Sequence, residues 1–235
     1  MWQPPNNPDP FAILHEAAGD DPPEVALAKF LWFHKNALRI QPSLSGVRLS
    51  FALGYWLDLA SRYKPAMDAY VRVRDETETS FRIEPASFDL FHDVASLNKH
   101  IDAGERTAKL FAEVAATDPD VARRLYHVAE SHLIGIGEYK ACGPFLETDK
   151  RIALAAKCYH MARQYEDSQP ERDTPLPRFS RQHFIENVAT LAALLVLNDR
   201  DTDAQDVYTK SLLVIDDDEF RSTMDAALTG HFPSK

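Results

Sequence analysis

The residue types most able to do chemistry in this sequence are histidines and carboxylates at helical spacing. Asp89, His92 and Asp93 stand at i, i+3 and i+4, and His127 and Glu130 at i and i+3. On a helix each set shares one face, where imidazole and carboxylate donors can hold a divalent metal. Ordinary surface and capping residues produce the same two-ligand spacing, and no metal site is expected from it. Asp199, Asp201 and Asp203 imitate the opening of a calcium loop. The sixth position is Ala204 instead of glycine and the twelfth is Lys210 instead of glutamate, so the sharp turn and the bidentate ligand are both missing. A polar turn between two helices is the reading there. Neither a G-x-S-x-G elbow nor a phosphate-binding loop occurs. Cys142, in a Cys-Gly-Pro run, reads as a packing cysteine in the place of an alanine. No catalytic residue, metal or cofactor is expected, and the chain is read as a protein that is not an enzyme.

If chemistry is not the task, the elements that carry these residues become the question. The 235 residues include only 8 glycines, 45% are hydrophobic, and β-branched runs are scarce. That composition suits helices burying a continuous core. The net charge of −10 argues against sequence-independent nucleic-acid binding, which needs a basic surface. It suits solubility and permits a basic protein partner. Cys142 and Cys158 form no metal or redox spacing. No apolar stretch is long enough for a bilayer, and the Pro- and Asn-rich start lacks a secretory layout, so the expected location is cytoplasmic with no membrane.

The clearest local pattern runs from Leu53-Gly54-Tyr55-Trp56-Leu57 to Tyr63-Lys64-Pro65-Ala66-Met67-Asp68-Ala69-Tyr70. It reads as a helix, a short turn at Ala60-Ser61-Arg62, and a second helix packed back on the first. Gly54 is expected to let the second helix approach closely, with Ala66 facing it. This spacing resembles the tetratricopeptide repeat. The resemblance implies an all-α fold, a right-handed superhelix of antiparallel hairpins with about nine to ten helices. Further hairpins follow at lower fidelity. Phe91, Val94 and Ala95 with Thr107, Phe111 and Val114 make one, and Tyr126, Ala129 and Leu133 followed by Cys142 make another. Val188, Leu191, Ala192 and Leu195 with Ala204 and Tyr208 make the last. The equivalent small positions Ala66, Thr107, Cys142 and Ala204 are 41, 35 and 62 residues apart, against about 34 in regular repeats. The array is therefore irregular, with an inserted helix.

In order, residues 1–10 form a flexible arm and 11–235 one helical domain. Within it lie a cap at 11–42 and hairpins at 46–76, 86–118, 120–147 and 180–215. An extra helix spans 149–166 and a final helix 217–228. Residues 77–85 read as a connector and 167–177 as a Pro-rich surface loop. The cap helix carries Ala26, Phe30, Phe33, Ala37 and Ile40 on one face. Its Phe30-Leu31-Trp32-Phe33 run is too apolar for one face, so Trp32 either packs under the N-terminal arm, the preferred reading, or marks a contact with another chain.

The resemblance implies a groove lined by first helices that binds a protein or peptide. Residues expected to face it are Arg48, Phe51, Tyr55, Asp58, His92, Ser96, Lys99, Arg124, His127 and Ser131. A carboxylate on a bound peptide would pair with Arg48, Lys99 and Arg124. Family members that clamp chaperone tails use a Lys/Asn/Arg set. Phe, Tyr, His and Ser stand at the matching positions here, which argues against that ligand. The leading function is a non-enzymatic interaction scaffold or adaptor. The alternative is an immunity-type protein that neutralises a basic partner through charge complementarity. A metal-dependent enzyme is the third reading.

Overall fold

The computed structural model describes residues 2–168 and 179–233. They hold thirteen α-helices, two short 3-10 turns and no strand. No helix among the described residues is long and apolar enough to cross a membrane. The contacts divide the chain into two compact units, Met1–Ile136 and Gly137–Lys235. The boundary falls inside the hairpin that the sequence places at 120–147, within what the sequence reads as a single domain.

The first unit contains eight helices. They are α1 (Pro10–Ala17), α2 (Pro23–Ile40), α3 (Ser45–Arg48), α4 (Phe51–Ala60), α5 (Lys64–Ile83), α6 (Phe88–Lys99), α7 (Gly104–Thr117) and α8 (Pro119–Gly135). Their starts follow local chemistry. The Asp9 carboxylate accepts from the backbone of Phe11 and Ala12, Ser87 from Leu90, and Asp118 from Val121. Prolines open α1, α2, α5 and α8, where a missing N–H costs nothing. The turn between α6 and α7 places Asp102 at φ 53°, a conformation aspartate tolerates.

The core grows around Trp56. Its ring stacks on Phe30 at 6.3 Å and meets Tyr70 edge-on at 5.4 Å. Trp56 Nε1 donates to the Ala66 carbonyl at 3.0 Å, and Tyr70 Oη donates to the Leu97 carbonyl at 3.0 Å. Both aromatic polar tips are thus satisfied, which buried aromatics require. The α2 stripe buries Ala26, Phe30, Phe33 and Ala37, while Ile40 at its end is exposed. Trp32 meets the Trp2 ring edge-on at 6.2 Å, so the N-terminal arm covers it as expected.

Three expectations are corrected in this unit. Residues 77–83 continue α5 and are not connector. Phe81 is fully buried against Phe91 at 5.2 Å, and that anchor holds the last two turns helical. Arg106 on α7 reaches back to Glu78 at 2.6 Å. The first helix of the 46–76 hairpin is broken at Leu49 and Ser50, where Ser50 leaves helical geometry and its hydroxyl donates to the Gly46 carbonyl. Gly54 permits no close approach, because a Cβ built on it meets nothing within 4 Å.

The second unit contains α9 (Tyr139–Cys142), α10 (Thr148–Asp167), α11 (Phe179–Val196), α12 (Asp201–Ser211) and α13 (Asp218–Ala227). A 3-10 turn at Gly143–Phe145 ends α9 after one turn, because Gly143 and Pro144 cannot continue it. Helix α11 is central. Phe184, Ile185, Val188, Ala189 and the run from Leu191 to Leu195 are all buried, and α10, α12 and α13 pack against it. Its C-terminal half, from Val188 to Leu195, is apolar on nearly every side, which suits such a position. At Gly143 the lack of a side chain is needed, since a Cβ would run into Asn198 Oδ1. The Asn198 amide donates to the Tyr139 and Leu194 carbonyls and ties α9 to the end of α11. Asp217 caps α13 by accepting from Phe220, and Arg181 grips the same carboxylate at 2.7 Å. That guanidinium holds the Asp217 carboxyl below its ordinary range. The expected loop at 167–177 lies outside the described residues from 169 onward.

Candidate binding surface

Five of the ten expected groove residues converge. Helix α6 packs on α8, and between them lies a cleft of about 260 Å³. His92, Ser96 and Lys99 line it from α6, and His127, Ser131 and His132 from α8. These are side chains at helical spacing on two adjacent faces, so periodicity alone places them together. Phe88 fixes the two upper imidazoles. Its ring stacks on His127 at 5.3 Å with planes 15° apart and meets His92 at 5.6 Å. The floor is closed by His132, whose Nδ1 would lie 3.2 Å from a Cβ at Gly104, so α7 begins directly against it. Burial pushes the His92 imidazole below its ordinary value; His127 and Arg48 add to this, while Asp93 and Asp89 oppose it. Burial lowers His132 as well, assisted by the Lys99 ammonium. Both rings are therefore neutral at pH 7, each with one donor and one acceptor nitrogen.

Phe51 and Tyr55 form a second, apolar hollow, also about 260 Å³, with Phe11, Leu14, His15 and Val47. Phe51 is 66% exposed and Tyr55 41%, which is unusual for side chains of that size beside a core. Asp58 and Arg124 are exposed and line neither hollow.

Arg48 departs from its expected place on a groove. It is buried, and its guanidinium is bidentate on Asp93 at 2.6 Å, with Nε donating to the His34 carbonyl at 2.8 Å. A fork-on-fork pair of this kind joins α3 to α6 and commits the buried guanidinium inside the unit. His34 sits against the same guanidinium and edge-on to Trp56 at 6.1 Å. Burial, with Arg48 beside it, drives its pKa down to about 4.

The metal-like sets are dispersed. Asp93 of the first set is engaged with Arg48, and no group of three or more His, Cys, Asp or Glu side chains converges among the described residues. In the calcium-like run, Asp199 has φ 60° and pairs with Lys140, while Asp203 pairs with Arg200 at 2.7 Å. Cys142 is fully buried. Sequence reasoning missed His132 on the cleft and Phe88 packed against two of its imidazoles. His132 follows the expected Ser131 directly and stands one helical turn beyond Val128, so its position on α8 was the available signal. No protein-family model, curated protein or solved structure matches this chain.

Proposed function

We propose that the chain is a non-enzymatic interaction module of the tetratricopeptide-like kind, whose first-helix face takes up a segment of a partner protein. The observation that carries this reading is the convergence of His92, Ser96, Lys99, His127 and Ser131 on one cleft between α6 and α8. Contact between the first helices α6 and α8, with α4 packed on α5 and α6 on α7, is consistent with stacked hairpins. The exposed rings of Phe51 and Tyr55 supply an apolar anchor on α4 of the same unit, the residue class that dominates binding energy at interfaces. Recognition by this face is a matter of pocket shape and donors, with no bond made or broken.

The test is to isolate partners from native lysate by affinity capture. Their dissociation constants are then measured for the wild type, His127→Ala and Tyr55→Ala. Each substitution is at the surface, so the circular dichroism spectrum stays unchanged. Binding weakens by about tenfold or more, as truncation of an anchor residue does. Unaltered affinity in both variants contradicts the assignment of this face.

A further inference from the structure

We propose that the cleft between α6 and α8 is an oxyanion site that takes up a proton together with its ligand. The inference rests on reading this face as a binding surface and specifies the chemistry of what enters it. The chain carries 36 acidic residues against 26 basic ones, yet no carboxylate lines this cleft. Its polar lining is the Lys99 ammonium, three imidazoles and the Ser96 and Ser131 hydroxyls. All of these can donate hydrogen bonds, and together they suit a group that only accepts. About 260 Å³ accommodates a carboxylate-bearing side chain or a tetrahedral oxyanion.

The proton coupling follows from what surrounds the rings. His92 faces Asp89 and Asp93 on its own helix, Arg48 from α3 and His127 from α8. Asp93 is already neutralised by Arg48. His132 faces Lys99 from α6, and α7 presents to it the backbone of Gly104, with Glu105 in the next position. Burial favours the neutral His92 ring against the pull of Asp93 and Asp89, and burial together with Lys99 favours the neutral His132 ring while the cleft is empty. An anion among them adds negative potential at both rings and favours the imidazolium form. Each ring that protonates on binding gains a second donor and a charge-assisted hydrogen bond. Ligand affinity therefore rises as pH falls from 8 toward 6, by up to about tenfold per pH unit for each proton taken up. Phe88, packed on both His92 and His127, holds these rings in place without a ligand, so little ordering is lost on binding.

The experiment is calorimetric titration of the full chain with two probes at pH 6, 7 and 8 and constant ionic strength. One probe is sulfate, which keeps its charge over this range. The other is an oligoglutamate peptide blocked at both ends. The expected result is binding of at least one probe, with Kd about tenfold lower at pH 6 than at pH 8. Lys99→Gln abolishes the binding, and His92→Gln flattens its pH dependence. Both residues are partly exposed, and unchanged melting of the two variants verifies their folds. Sulfate binding alone identifies a free small oxyanion as the ligand; much tighter peptide binding identifies an acidic protein segment. The inference is overturned if neither probe binds, if Kd is the same at pH 6 and 8, or if Lys99→Gln binds like the wild type. Partner capture that depends on His127 but not on pH leaves the proposed function standing and removes only this inference. Probe binding without any partner does the reverse.

Discussion

Helix α6 carries two clusters of ionisable groups side by side, and they have opposite characters. Asp93 turns into the protein and accepts both prongs of Arg48, which also donates to the His34 carbonyl. His92, one residue earlier, looks into the cleft with Lys99, His127 and His132. In the first cluster burial is matched by a bidentate pair. In the second it favours neutral His92 and His132 rings beside space that no described residue of the unit fills. The difference teaches that charge and helical spacing do not identify a ligand site by themselves. What separates the two clusters is whether the molecule supplies the complementary group.

The closed cluster is where substitution costs most. Asp93→Ala leaves the Arg48 guanidinium buried without its partner, and about 3–5 kcal/mol of stability is lost. Urea denaturation at pH 7.5 measures this, and a loss under about 1 kcal/mol would show the pair to be solvated after all. The next effect is pH dependence through His34. Its folded pKa of about 4 lies below the ordinary value, so the unfolded chain binds the proton first as pH falls. Stability is complete above about pH 6.5 and is lost progressively toward pH 4, by roughly 2 kcal/mol at pH 5. His92 and His132 add in the same direction, because their values are also lowered. In His34→Gln the loss between pH 8 and 5 shrinks by that amount; an unchanged slope would place the titration elsewhere.

Much of this arrangement was legible in the residues. The stripes Phe30, Phe33 and Ala37, Phe91, Val94 and Ala95, and Val188, Leu191 and Leu195 are all core, because apolar periodicity reports burial directly. The final helix, expected at 217–228, begins at Asp218 behind the Asp217 cap, since capping is local chemistry. Residues 77–83 misled because the polar run from Asp75 to Ser80 hides a helix held by one distant aromatic contact, Phe81 on Phe91. Arg48 misled because a buried arginine and a groove arginine look alike until the partner, 45 residues away, is known. The convergence on the cleft was readable because all its side chains lie on two neighbouring helix faces. Gly54 shows the limit of motif matching. The residue is where the repeat pattern wants it, yet nothing approaches. Gly54→Ala is therefore expected to raise stability by about 0.5–1 kcal/mol through helix propensity alone. A destabilising result in thermal melting would reveal a close contact at that position.

The open cleft sits at the small end of the stability scale. Lys99→Gln and His127→Ala are expected to shift the unfolding free energy by no more than about 0.5 kcal/mol, since both side chains are exposed. Denaturation run beside Asp93→Ala gives the contrast between the two clusters directly. A loss in Lys99→Gln as large as that in Asp93→Ala would erase the distinction.

The most direct measurement is a chemical-shift map of the labelled chain as an isolated partner segment is added. The account predicts perturbations concentrated at Ser96, Lys99, His127 and Ser131, with a second group at Phe51 and Tyr55. His34 and Arg48 stay close to their free positions. Shifts centred on α11 and α12, or spread without regard to the α6 and α8 faces, would contradict it.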